Sequence, residues 1–235
     1  MDQTLQKHID HLGAFIGHDL GASIAEVERS VEGANGTNIG PMLRERDIDS
    51  RLLGAAAEIK RVSAQIDVTV HAVGILRSLP HILADGEQVE SVSLGAGNTG
   101  KAFDLETNLR IAEFKFIQWR GGPESIRQNG IFKDFFDLVT AETSKKRCLY
   151  LLGTHHALKF FRGRRALSSV LSKNQATRDK FASLYGDRYA TVNEFFTDHE
   201  QVVEIIDVLP WLPELDRMPV QAEATNNLGD DMSLV

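Results

Sequence analysis

Residues 102–119 have the sequence AFDLETNLRIAEFKFIQW, and this stretch decides the predicted fold. Two runs of alternating polar and apolar side chains flank Asn108, a residue type that favours turns, so the stretch predicts a β-hairpin. Successive side chains of a strand point to opposite faces. We therefore expect Asp104 on the first strand to face the same side as Glu113 and Lys115 on the second strand.

The segments on both sides of this hairpin carry helix and strand patterns. The predicted elements, in chain order, are a helix over 50–79, a strand over 88–94, the hairpin, a helix opened by 121–123, a strand over 148–152 and a basic helix over 156–172. The long helix should end at Pro80. The residues that recur in it at helical spacing are Leu52, Ala56, Ile59, Ser63, Ile66, Val70 and Val73. The helix after the hairpin has the stripe Phe132, Phe135, Phe136 and Val139. The order α-β-β-β-α-β-α predicts an α/β fold with a mixed central sheet flanked by helices.

The remaining segments predict extensions of this core. Residues 1–49 predict an N-terminal helical extension, with two helices broken near 17–21 and a loop over 33–41. The core should then cover 50–175. Residues 176–217 predict two helices, over 181–189 and 190–198, and a possible strand over 201–209. Residues 218–235 lack periodicity and predict a disordered tail.

Composition and charge limit the classes of function. The 235 residues carry a formal net charge of −7, which argues against broad nonspecific binding of nucleic acid. Residues 143–178, however, contain nine lysines and arginines and no acidic residue, so a local basic face is predicted. Cys148 is the single cysteine, which excludes an internal disulfide and a cysteine-rich metal site. We find neither a signal peptide pattern nor an apolar run near the ~20 residues of a membrane span, so a cytoplasmic protein without membrane contact is expected.

The side chains of Asp104, Glu113 and Lys115 point to a particular chemistry. Two neighbouring carboxylates bind a hard divalent cation through oxygen, and the cation relieves their mutual repulsion. A nearby ammonium orients water or neutralises charge that develops on a phosphate. The three residues are therefore candidate catalytic residues. A strand whose polar face is simply solvated remains the alternative.

The pattern Asp104, spacer, Glu113-Phe114-Lys115 resembles the PD-(D/E)XK nuclease superfamily, which has the restriction-endonuclease-like fold. The resemblance covers about residues 50–172, including the order of elements. It implies that Asp104 and Glu113 bind Mg²⁺ or Mn²⁺ and that Lys115 assists the attacking water. It also implies that the backbone carbonyl of Phe114 adds a metal ligand.

Two further features bear on this resemblance. Some members of the superfamily add a glutamate from the preceding helix, and Glu58 is the best-placed candidate for that metal ligand. The proline that usually precedes the aspartate is replaced here by Phe103. Relatives with a Gln-xxx-Tyr motif on the helix after the hairpin would match Gln128 and Phe132, but the tyrosine hydroxyl is absent.

Candidate nucleic-acid contacts lie downstream of the hairpin. They are Gln128, Lys133, Lys159, Arg162, Arg164 and Arg165, each of which could bind a phosphate or belong to a solvated helix face. The adjacent His155 and His156 are more typical of a structural or capping role than of a metal site. The loop Gly95–Gly100 has no Gly-Lys-Ser/Thr sequence, which argues against nucleotide binding there.

The resulting expectation is a metal-dependent phosphodiesterase that acts on nucleic acid, with DNA favoured over RNA. A homodimer is compatible with the resemblance. Two alternatives remain open from the residues alone. One is a catalytically inactive module on the same scaffold that binds nucleic acid or protein. The other is an unrelated α/β protein that uses its acidic face for protein contacts.

Overall fold

The computed structural model describes residues 3–95, 100–117, 119 and 125–217. The chain divides into two compact units, residues 1–69 and residues 70–235. The expected disordered tail and the opening of the helix at 121–123 lie outside the described residues. None of the helices in the described ranges combines the length and the apolar composition that a membrane crossing requires.

The first unit is helical. It contains α1 (Gln3–Ile16), α2 (Leu20–Val31), α3 (Ile39–Glu45) and the first part of α4 (Ser50–Ile82). The predicted break between α1 and α2 is confirmed, and the Asp19 side chain caps α2 by accepting a hydrogen bond from the Ala22 N–H. The prediction of a loop over 33–41 is wrong at its end, where α3 begins. Pro41 is the third residue of α3, where the N–H that proline lacks would have no intrahelical partner.

The helix α4 continues past the predicted stop at Pro80, which lies inside its last turn. Proline removes one helical hydrogen bond there, but the turn persists because the Leu83 N–H still donates to the Leu79 carbonyl at 3.0 Å. The predicted helix over 50–79 therefore ends three residues too early.

The second unit is built on a five-stranded sheet, and the prediction of a mixed sheet is confirmed. Its strands are β1 (Val89–Val92), β2 (Leu105–Thr107), β3 (Arg110–Lys115), β4 (Lys146–Leu151) and β5 (Glu204–Asp207), in that spatial order. β2 pairs antiparallel with both β1 and β3, whereas β4 pairs parallel with both β3 and β5. The predicted hairpin thus corresponds to β2 and β3, and the possible strand over 201–209 is β5.

Helices cover both faces of this sheet. On one face, Ala112 and Phe114 pack in a core cluster with Ile75 of α4. On the other face, Ile111 packs with Phe135 of α5 (Ser125–Val139). The expected alternation along β3 is therefore confirmed, and its polar residues lie on the face that α5 covers.

The segment predicted as one basic helix over 156–172 forms two short helices, α6 (His155–Phe161) and α7 (Leu167–Leu171). The backbone between them bonds to a distant segment. The Val192 N–H donates to the Arg165 carbonyl at 2.9 Å and the Leu167 N–H donates to the Ala190 carbonyl at 3.0 Å. These long-range hydrogen bonds replace helical ones, so the prediction of a continuous helix is wrong. The helices α8 (Gln175–Tyr185) and α9 (Val192–His199) precede β5, and the 3₁₀ turns Leu209–Trp211 and Pro213–Arg217 follow it.

The contact between Gly74 of α4 and the buried Phe116 ring yields a first prediction. A Cβ added at Gly74 would lie 2.8 Å from two ring atoms of Phe116. Alanine normally stabilises a helix relative to glycine by up to ~1 kcal/mol, but overpacking here should reverse the sign. We expect Gly74→Ala to lower the free energy of unfolding by about 1–3 kcal/mol in urea denaturation.

Gly54, in the same helix, is the matched control because a Cβ there would meet no atom within 4 Å. Gly54→Ala should be neutral or stabilising. Equal effects of the two substitutions would show that the Phe116 ring moves aside freely.

Candidate active site

The hairpin brings the three predicted catalytic residues together. Asp104 directly precedes β2, whereas Glu113 and Lys115 belong to β3. The observed pair Leu105 with Ala112 places Asp104 opposite Glu113 when the register is continued by one residue. Lys115 follows Glu113 by two residues and so projects to the same face of the sheet.

Two hydrogen-bond donors hold the Asp104 carboxylate. Its Oδ2 accepts a hydrogen bond from the Phe114 N–H at 2.9 Å. Its Oδ1 lies 3.4 Å from the Nε2 of His71, which projects from α4. Burial by itself would raise the pKa of Asp104, but these two hydrogen bonds outweigh burial and hold the pKa below its ordinary value. Asp104 is therefore ionised at neutral pH.

Glu113 has the opposite electrostatic environment. Burial, and then the negative charges of Asp134 and Asp104, raise its pKa to about 9, although the Lys115 ammonium opposes this. The Glu113 carboxyl also shares a hydrogen bond with Asp104. At neutral pH the pair therefore holds a proton between two acids, one ionised and one neutral.

Lys115 is fixed by an acid that sequence analysis did not identify. Its Nζ lies 2.6 Å from Oδ2 of Asp134, a buried residue of α5. Burial lowers the pKa of Lys115, but the charge and hydrogen bond of Asp134 more than compensate, so the pKa lies above its ordinary value. Lys115 is thus a protonated ammonium, and its side chain is still 37% exposed.

A largely apolar cavity of about 210 Å³ opens beside Lys115. Its walls come from the end of β3 and its continuation, from α5, and from the end of β4 and the start of α6. The lining includes Lys115, Ile117, Trp119, Ile126, Arg127 and Leu151. Lys115 therefore borders a space that a substrate group can enter.

Of the six residues predicted to contact nucleic acid, the structure brings three together and separates the other three. Gln128, Lys159 and Arg165 line one further cavity. Lys133 instead pairs with Asp137 on its own helix, with 2.9 Å between Nζ and Oδ2. The remaining two candidate cations, Arg162 and Arg164, are exposed and line neither cavity.

Glu58 lies in the first unit, where its carboxylate is 2.6 Å from the Arg61 guanidinium. That ion pair lowers the pKa of Glu58. Its role as a metal ligand, like that of the Phe114 carbonyl, stays a prediction.

The donor set fits a magnesium ion of a particular kind. Within the described ranges, no three His, Cys, Asp or Glu side chains are grouped to hold a metal. Mg²⁺ in phosphoryl-transfer sites, however, usually takes only one or two carboxylates and completes its shell with water and substrate phosphate. The hydrogen-bonded carboxyls of Asp104 and Glu113 provide that pair, and a dication would relieve the repulsion that raises the pKa of Glu113.

Sequence analysis missed two residues of this site, His71 and Asp134. Asp134 lies between Phe132 and Phe135 in sequence but on another face of α5, so the phenylalanine stripe gives no sign of its burial. His71 lies four residues before the buried Ile75 on the face of α4 that packs against the sheet.

No family model, no curated protein and no solved structure matches this chain.

Proposed function

We propose that this chain is a metal-dependent nuclease that hydrolyses phosphodiester bonds, with DNA favoured as the substrate. The observation that carries the proposal is the hydrogen-bonded pair of Asp104 and Glu113, with the Lys115 ammonium on the same face of the sheet. The order α4, β1, β2, β3, α5, β4, α6 supports a restriction-endonuclease-like fold for the core, since that superfamily shares the order α-β-β-β-α-β-α.

In this proposal Asp104 and Glu113 hold Mg²⁺ or Mn²⁺. The ion, when bound, would supply charge neutralisation at the phosphate and would lower the pKa of a coordinated water. His71 and the Phe114 N–H fix the Asp104 carboxylate in one orientation. Such anchoring keeps metal ligands in place without reorganisation when substrate binds.

The environment of Lys115 distinguishes between two roles for this residue. A general base must be neutral, but Asp134 keeps the ammonium of Lys115 protonated. Lys115 therefore acts as a cation that donates hydrogen bonds to the attacking water or to a phosphate oxygen. This is electrostatic stabilisation of the charge that develops in the transition state.

A cleavage assay tests the proposal. The full chain is incubated with single-stranded DNA, duplex DNA and RNA, in Mg²⁺, in Mn²⁺ and in EDTA. We expect products only with a divalent ion, and we expect Asp104→Asn to lose cleavage while it remains folded. The matched control is Glu106→Gln, because Glu106 lies on the same strand but pairs with Lys145 at 2.8 Å.

Two outcomes would contradict the proposal. Binding of nucleic acid without cleavage in any metal, unchanged in Asp104→Asn, would indicate a non-catalytic module. Neither binding nor cleavage would indicate an unrelated α/β protein.

A further inference from the structure

A second cavity, of about 300 Å³, shares a wall with the cavity beside Lys115. It lies between α5 and α6, and its lining residues are Trp119, Gln128, His156, Lys159, Phe160, Gly163 and Arg165. Trp119 lines both cavities. A chain of nucleotides that passed Lys115 could therefore continue into this space. Its volume lies at the lower end of the roughly 300–1,000 Å³ of ligand sites, which suits one nucleotide.

The wall of this cavity is rich in aromatic rings. The Trp119 ring lies 6.3 Å from the His156 ring and 6.0 Å from the Phe160 ring, measured between centroids. Phe160 is buried and supports Trp119 from within the core. Stacking on such rings is the general means by which proteins hold unpaired bases, because every base has a π face.

The charged residues that the structure describes in the cavity wall are both positive. Lys159 and Arg165 line the cavity, and no acidic residue is among its described lining residues. Neither forms an ion pair with a residue that the structure describes, and Arg165 donates a hydrogen bond to the Ser169 hydroxyl at 3.1 Å. Both belong to the acid-free segment 143–178. Cations beside aromatic rings are the combination found in grooves that follow a single strand.

Two polar atoms of the wall add a third observation. Within the described part of the chain, Trp119 Nε1 and Gln128 Oε1 are enclosed without a hydrogen-bond partner. An enclosed polar group that lacks a partner is costly. Both residues belong to the cavity wall.

We propose that this cavity binds one unpaired nucleotide of a single-stranded nucleic acid, with its base against Trp119 and its phosphate on Lys159 and Arg165. The inference rests on the proposed function for the class of ligand. It adds that the preferred substrate has a single-stranded segment next to the scissile bond.

Fluorescence of Trp119 tests the inference directly. The chain has two tryptophans, so Trp211→Phe leaves Trp119 as the single reporter. Oligothymidylate, oligouridylate and a blunt DNA duplex are titrated in EDTA, where binding is measured without cleavage. We expect saturable quenching by the single strands and at least about fivefold weaker binding of the duplex. The difference between the DNA and RNA strands identifies the preferred sugar.

Charge variants in the same background locate the phosphate contacts. Lys159→Gln with Arg165→Gln should weaken single-strand binding at least about tenfold and reduce its salt dependence by about 1–1.5 in log–log slope. The matched control removes Lys173 and Arg178, exposed cations of the same acid-free segment that do not line the cavity, and should change affinity less than about threefold.

The outcomes separate this inference from the proposed function. Quenching by single strands without any cleavage in Mg²⁺ or Mn²⁺ would support the cavity and overturn the nuclease. Cleavage without quenching, or equal losses in the two double variants, would overturn the cavity alone. Equal quenching by polyglutamate would also overturn it, because an acidic peptide has no base to stack.

Discussion

Replacement of Lys115 by methionine should reduce cleavage at least about a hundredfold, the usual cost of losing one positioned cation or proton donor in a transition state. Methionine keeps the length and apolar stem of the side chain but removes the ammonium that lies 2.6 Å from Asp134. The measurement is the initial rate of cleavage in Mn²⁺ at saturating substrate.

The variant carries a structural side effect that the experiment must separate from catalysis. Without Lys115, the buried carboxyl of Asp134 loses its partner at 2.6 Å, and burial of an unpaired acid destabilises the fold. The double variant Lys115→Met with Asp134→Asn removes that buried charge. We expect it to regain thermal stability while its cleavage remains as low as in the single variant.

Lys133→Met is the matched control for this prediction. Lys133 lies on α5 near the same acid, 3.9 Å from Asp134 Oδ1, but its closer partner is Asp137 at 2.9 Å. Its loss should change cleavage less than about threefold, which is below 1 kcal/mol in the barrier. Wild-type cleavage by Lys115→Met, or an equal loss in Lys133→Met, would remove Lys115 from the mechanism.

The site residues that could be predicted from the sequence lie close together along the chain. Asp104 and Glu113 are separated by one turn, so strand alternation and the position of Asn108 suffice to place them on one face. The mixed character of the sheet followed from the alternation of helix and strand patterns, whereas the spatial order of the strands beyond the hairpin was not predicted. Local periodicity carries this information because it does not depend on distant packing.

The part that could not be predicted depends on packing between distant segments. His71 and Asp134 reach the site from α4 and α5, and periodicity indicates a helix without showing which face packs. On α4 the predicted stripe includes Val73, which is 47% exposed, whereas Ile75 and Ser78 are fully buried. The break between α6 and α7 has the same origin, because the hydrogen bonds that cause it come from residues 190–192.

Glu87 and Arg110 form a buried ion pair at the base of the hairpin. The guanidinium donates two hydrogen bonds of 2.6 Å to the Glu87 carboxylate, which also accepts one from the Thr107 hydroxyl at 2.6 Å. Arg110 further donates to the Tyr150 hydroxyl on β4 at 2.9 Å. The pair thus ties the segment before β1 to the ends of β2 and β3 and to β4. It stabilises the register that places Asp104 opposite Glu113.

Glu87→Gln should therefore lower the free energy of unfolding by about 3–5 kcal/mol at pH 7, since it leaves the Arg110 guanidinium buried without its counter-charge. Urea denaturation measures this difference. The matched control is Glu214→Gln, which removes the acid of an exposed ion pair with Arg77. Both side chains of that pair are more than half exposed. An exposed pair contributes about 0–1 kcal/mol, so a similar loss in the two variants would contradict a stabilising role for the buried pair.

The contribution of Glu87 to the free energy of unfolding should decrease as the pH falls. The Arg110 hydrogen bonds lower the pKa of Glu87 from 4.5 to about 2 against the opposing effect of burial, and the Ala84 N–H and the Thr107 hydroxyl lower it further. A carboxyl with a depressed folded-state pKa contributes stability above its unfolded pKa and loses it as the pH falls toward the folded value. The difference in free energy of unfolding between wild type and Glu87→Gln should thus be largest above about pH 5 and should shrink between pH 4.5 and 2. A difference that stays constant across that range would show that the stabilisation does not come from the ionised carboxylate. In that case the hairpin register would depend on packing alone, and acid should leave the geometry of Asp104 and Glu113 unchanged.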